Sequence, residues 1–144
     1  MELKSSAFTH KGKIPSKYTY DGKDVSPPLS IGGIPKKAKS IAVVVDDPDA
    51  PMGIFDHWIA WNLSPQQSEI GEGLKAPQQG KNDFGELGYR GPCPPPGSPH
   101  RYFFKVYALD SVLELPSGAR KQELEKAMEG HILDQAELIG LYQR

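Results

Sequence analysis

The chain has 144 residues, 38% of them hydrophobic and 24% charged, with a formal net charge of −1 at pH 7. That length suits a single domain with a real core, and the balanced charge excludes a general attraction to nucleic acid or to an anionic membrane. One cysteine, Cys93, excludes an intrachain disulfide.

The opening "MELKSSAFTHKGK" lacks an apolar core of signal-peptide length, and no run approaches membrane-spanning length. The expectation is therefore a cytoplasmic protein whose thiol stays reduced. The lysines of "PKKAK" (Pro35–Lys39) read as a solvated turn ahead of a strand. No internal repeat or low-complexity tail breaks residues 1–144, which read as one domain. Fifteen glycines and fourteen prolines punctuate short apolar runs, a pattern of many short strands joined by turns.

"SIAVVVDD" (Ser40–Asp47) is β-branched and continuously apolar, which predicts a buried central strand. "DHWIAWNL" (Asp56–Leu63) predicts a second strand, and "HRYFFKVYALD" (His100–Asp110) a third. Regular alternation puts His57, Ile59 and Trp61 on one face of the second. It puts His100, Tyr102 and Phe104 on one face of the third, with Arg101, Phe103, Lys105 and Tyr107 opposite. "LPSGARKQELEKAMEGHIL" is helical in spacing, with Ser117 as its cap and Gly130 as a stop or kink. "AELIGLYQR" (Ala136–Arg144) returns to a strand-like pattern. The class is mainly β, a sandwich or barrel-like domain with a C-terminal helical segment.

Two loops draw attention. In "DPDAP" (Asp47–Pro51), the prolines fix φ and hold Asp47 and Ala50 extended, so a carboxylate is oriented at low entropic cost. A turn in which Asp caps backbone N–H groups is the plainer reading. A proline-rich turn of this kind also predicts at least one cis X–Pro bond within Asp47–Pro51. In "GPCPPPGSPHRY" (Gly91–Tyr102), five prolines stiffen the approach to His100, and Gly91 and Gly97 permit close turns. The N–H groups of Gly91 and Cys93, fixed beside an imidazole and a phenol, suit an anion nest.

If the second and third strands neighbour each other, Asp47, His57, His100 and Tyr102 converge. Three chemistries compete for that constellation: an oxyanion pocket, a zinc site of Asp47, His57 and His100, or a Cys93 thiolate with His100 as base. The metal reading lacks compact H-x-x-x-H or C-x-x-C spacing, and the thiolate reading lacks a recognisable motif. Arg101, on the face opposite His100, is expected to pair with Asp49. His131 is expected to pack or cap.

"DPDAP", "HW" and "GPCPPPGSPHRY" followed by "FFKVYALD" resemble the phosphatidylethanolamine-binding protein family in its prokaryotic branch. The likeness runs nearly end to end, from "GKIPSKYTYDGKDVSPPLS" (Gly12–Ser30) to "AMEGHILDQAELIGLYQR" (Ala127–Arg144). It implies a Greek-key antiparallel β-sandwich with a short terminal helix. It also implies a pocket using Asp47, His57, His100 and Tyr102, with N–H donors around Gly91 and Cys93 and with Pro94 and Pro95 at the rim. The function expected is binding of a phosphate-class anion or phospholipid headgroup; from the residues themselves, no cofactor, no metal and no turnover are expected. Inhibition of a kinase or peptidase through the surface around the pocket is the alternative. No nucleic-acid partner and no stable membrane insertion are expected, and the assembly is a monomer or homodimer.

Overall fold

Nine strands and one α-helix make up the regular structure of the computed structural model, which describes residues 1–144. In chain order these are β1 (Glu2–Lys4), β2 (Gly12–Lys13), β3 (Leu29–Gly32), β4 (Ser40–Asp47), β5 (Phe55–Leu63), β6 (Glu69–Ile70), β7 (Gln78–Gln79), β8 (His100–Leu109), α1 (Lys121–Met128) and β9 (Ile132–Tyr142). A small sheet, β1-β3-β6, packs on a larger one of order β2-β9-β8-β4-β5-β7. All pairings are antiparallel except the two-residue β2–β9 contact. The long return from β5 places β8 on the far side of β4, a Greek-key connection within a β-sandwich.

That order corrects one expectation. The aromatic strands β5 and β8 are not neighbours, because β4 lies between them and pairs with both. The reason is in the composition of β4, whose eight residues are all buried. Val43 and Val45 join the core between the sheets, while Ala42 and Val44 face a second core under α1. A strand covered on both faces must be apolar at every position, so the most continuous run takes the centre.

β8 alternates as its pattern predicts: Tyr102, Phe104, Val106 and Ala108 turn into the main core. β5 does not. Val45 pairs with Trp58 and Asp46 with Asp56, which leaves His57 as an extra residue without a partner. This is a β-bulge, and it overturns the expected grouping of His57 with Ile59 and Trp61. Those two pack under the helix, whereas His57 turns to the side of Tyr102, with ring centroids 5.4 Å apart.

The helix begins later than its pattern suggests. Ser117 is not the cap, because Gly118 adopts φ 93° and donates its N–H to Gln79 O of β7. Arg120 takes the N-cap position, and Glu123 reaches back to its N–H at 3.0 Å. Leu124 and Met128 anchor the helix on Trp61 and Ile59. Lys121 reaches to the sheet, with Nζ 2.7 Å from Asp56 Oδ1 and 3.3 Å from Asp46 Oδ2. Gly130, at φ 77°, follows the last turn and stops the helix. No helix is long and apolar enough to cross a membrane.

Candidate functional site

One end of the sandwich opens into a cavity of about 420 Å³ between the ends of β4, β5 and β8 and the loops that leave them. Asp47, His57, His100 and Tyr102 all line it, as do Cys93, Pro94 and Pro95.

Asp47, the last residue of β4, is nearly fully buried and uses both oxygens. Oδ1 accepts the N–H of Asp49 at 2.7 Å, closing the Asp-Pro turn. Oδ2 lies 2.7 Å from His100 Nδ1. Since a carboxylate only accepts, His100 carries hydrogen on Nδ1, and Nε2 is its remaining polar atom. The turn needs no cis bond: every peptide bond is trans, which corrects that expectation. Its bend comes from the side-chain bond to Asp49 and from Gly53 at φ 108°.

Asp49 is clamped from the other face of β8. Arg101 donates from Nε at 3.0 Å, from a terminal guanidinium nitrogen at 2.8 Å and from its backbone N–H at 2.9 Å. Those bonds hold the Asp49 carboxyl down at about 2. A folded value below the unfolded one, 3.8, stabilises the protein above about pH 4 and ceases to do so as pH falls through about 2. Acid unfolding followed by circular dichroism should therefore steepen in that window, and the Arg101→Met variant should lose part of the slope. An unchanged acid limb in the variant would mean that this pair does not tie the loop down.

His57 donates from Nδ1 to Arg90 O at 2.8 Å. Burial presses its pKa below the ordinary histidine value, opposed only in part by the Arg90 carbonyl and by neighbouring carboxylates. The ring is thus neutral at pH 7, with a bare lone pair on Nε2. Tyr102 is 1% exposed, and no hydrogen bond of good geometry satisfies its hydroxyl within the chain, although the Asp47 carboxylate lies close to it. Burial, then the charge of Asp47 and the approach of that carboxylate as an acceptor, raises the phenol well above its ordinary pKa, so it remains a donor. A buried hydroxyl left unpaired inside a protein is uncommon and costs about 1–3 kcal/mol. It sits against His57 and parallel to His100, the latter with centroids 6.4 Å apart.

Gly91 departs from its expected role. Its N–H donates to Asp24 Oδ1 and so is not offered to a ligand, and the residue does not line the cavity. A side chain there would collide with the Tyr18 carbonyl, so only glycine fits. Asp24 also takes Arg90 Nε at 2.7 Å. One carboxylate therefore fixes the pair of residues whose carbonyl orients His57. The Cys93 N–H makes no hydrogen bond within the chain. His131 stays outside the site, bonded through Nδ1 to Asp110 Oδ1 at 2.8 Å.

Some lining residues escaped the sequence reading. Phe84 packs edge-on against Phe55 at 4.8 Å and against His57 at 5.9 Å. Asp83 lines the mouth and accepts the Asp56 N–H at 2.7 Å. Outside them lie Met52, 99% exposed, and Ile54, 61% exposed. No lysine or arginine lines the cavity. No group of three or more His, Cys, Asp or Glu is arranged to hold a metal ion.

Comparison with known proteins finds a family model described as phosphatidylethanolamine-binding protein matching residues 4–143. The UPF0098 protein of Methanothermobacter thermautotrophicus is 52% identical over 151 residues, covering 100% of this chain and 99% of the relative. A UPF0098 protein of Pyrococcus horikoshii is 54% identical over 155 residues, covering 100% of this chain and 78% of its own. Among solved structures, a phosphatidylethanolamine-binding protein homologue from Chlamydia trachomatis superposes with a TM-score of 0.95 at 46% identity, covering 99% and 97% of the two chains. YbcL of E. coli, described as a new member of the mammalian family, superposes at 0.92 with 29% identity, covering 99% and 98%.

Proposed function

The chain belongs to the phosphatidylethanolamine-binding protein family, and on that footing we propose that it binds a phosphate-class anion, free or as a lipid headgroup, without cofactor or turnover. The observation that carries this reading is the Tyr102 hydroxyl, a buried donor without a well-formed hydrogen bond, beside the Asp47 carboxylate in a residue that lines the cavity together with two imidazoles. An oxyanion oxygen is the partner it lacks, and a charge-assisted bond of that kind is worth about 1.5–3 kcal/mol. Asp47 serves as the group that aims the His100 ring, which lines the same cavity. The protein acts in the cytoplasm in this reading, with Cys93 reduced.

Calorimetry with inorganic phosphate and phosphoethanolamine tests it. Tyr102→Phe should weaken binding about tenfold or more while leaving the melting temperature close to that of the wild type. His100→Ala should weaken it as well. Since Cys93, His100 and Asp47 share the cavity, the same samples should be assayed for release of phosphate or of the headgroup; sustained release would replace binding by hydrolysis.

Exposed apolar groups at the mouth, Met52 and Ile54 above all, favour a second reading. There the rim docks on a kinase or peptidase and the cavity is secondary. Equal affinity for phosphate in wild type, Tyr102→Phe and His100→Ala would favour that alternative.

A further inference from the structure

An anion pocket is ordinarily built with cationic or N–H donors. This one has few: two carboxylates, Asp47 and Asp83, line it, no lysine or arginine does, and the Cys93 N–H is the backbone donor left over. The nearby guanidinium groups are committed elsewhere, Arg90 to Asp24 and Glu86, and Arg144 to Asp21. Asp83, held by Arg120 and by the Asp56 N–H, lies at the mouth. Such a cavity is poorly suited to a dianion.

His57 narrows the choice further. Its Nδ1 hydrogen is given to a carbonyl, which can only accept, so Nε2 has a lone pair to offer. His57 is 3% exposed and lines the cavity, and its Nε2 makes no hydrogen bond within the chain. A phosphate oxygen set against it would bring lone pair against lone pair. A P–OH would instead donate to it, while another oxygen of the same phosphate accepts from Tyr102. Resting on the binding reading above, we infer that the cavity selects a phosphate group that carries its own acidic hydrogen, a phosphomonoester, over a phosphodiester headgroup. The monoester delivers one donor and at least one acceptor to a site that presents Nε2 of His57 and Oη of Tyr102. A diester offers acceptors alone, and can engage His57 only by forcing a proton onto a buried imidazole. The depressed basicity of His57 opposes that step.

Methyl phosphate and dimethyl phosphate are the paired probes, measured by calorimetry at pH 5.5 and pH 8. Methyl phosphate loses its second proton near pH 6, about where phosphoserine does, whereas the diester keeps one charge throughout. The expectation is that methyl phosphate binds about tenfold or more tighter than the diester at pH 5.5, and that this margin closes by pH 8. Any pH dependence shown by the diester reports the protein's own groups and is the baseline for the monoester. A second series identifies the titrating partner: methylphosphonate and trichloromethylphosphonate differ in second ionisation, and the midpoint of the affinity profile should move with the ligand. His57→Phe should abolish the margin between the esters. Equal binding of the two esters at pH 5.5, or a midpoint that stays fixed for both phosphonates, would overturn the inference and leave the binding reading standing. No binding by any of the four ligands would overturn both.

Discussion

Lys121→Met should lose about 3–5 kcal/mol of stability at pH 7, the scale for removing one partner from a buried ion pair. Asp46 and Asp56 face each other across β4 and β5 on the helix side of the sheet, and both are largely shielded from water. Lys121 bridges them, with Lys105 adding a contact to Asp46 at 3.2 Å. Even with the lysine present, burial raises the Asp56 pKa above 3.8. Without it, the two carboxylates repel and the folded state takes up a proton more readily than the unfolded chain. Folded protons then outnumber unfolded ones above about pH 4, and stability falls as pH rises through that region. The deficit of the variant should therefore be larger at pH 7 than at pH 5, which urea titrations at the two values would show. Replacing Asp56 by leucine in the same chain should restore part of the loss, since an apolar pair tolerates the site that a lone charge does not. A deficit below about 1 kcal/mol, equal at both pH values, would contradict the geometry.

Asp47→Ala should damage the cavity and the fold together. Two donors lose their acceptor, the Asp49 N–H and His100 Nδ1, and each unpaired buried donor costs about 1–3 kcal/mol. The cost at His100 lies at the lower end, because its side chain is 12% exposed and water can reach it. Loss of aim at His100 should weaken phosphate binding about tenfold or more. Asp47→Asn separates the two roles. The amide still accepts one of the bonds, so the melting temperature should recover more than the affinity does. If Asn restored both alike, the charge of Asp47 would have no part in binding.

The sheet was readable where burial alone dictates residue type. The unbroken apolar run of β4 reflects cores on both of its faces, and the alternation in β8 follows one buried face. The pairing of Arg101 with Asp49 followed from the same alternation. What escaped depends on contacts distant in sequence. Nothing local to "VSPP" marks Asp24 as the acceptor for Arg90 and Gly91, because the three meet only when the chain has folded. Phe84 and Asp83 sit in a loop without periodicity, and their place in the cavity comes from the turn around them. Lys121 reads against its position, since a cation in the first turn opposes the helix dipole. Two carboxylates on another layer explain it.

The unpaired residue in β5 also has a meaning for chain length. Trp58 and Asp56 already stand opposite consecutive residues of β4. A chain in which His57 were deleted would keep that register and would alternate regularly at this end of the strand, Trp58 inward and Asp56 towards the helix, leaving only the irregularity between Ala60 and Leu63. The sandwich thus has a shorter and more regular form close at hand, and the imidazole is an insertion superimposed on it. Selection for folding alone would have no use for the extra residue. Its presence marks the point at which the sheet gives up regularity to place a nitrogen lone pair inside the cavity.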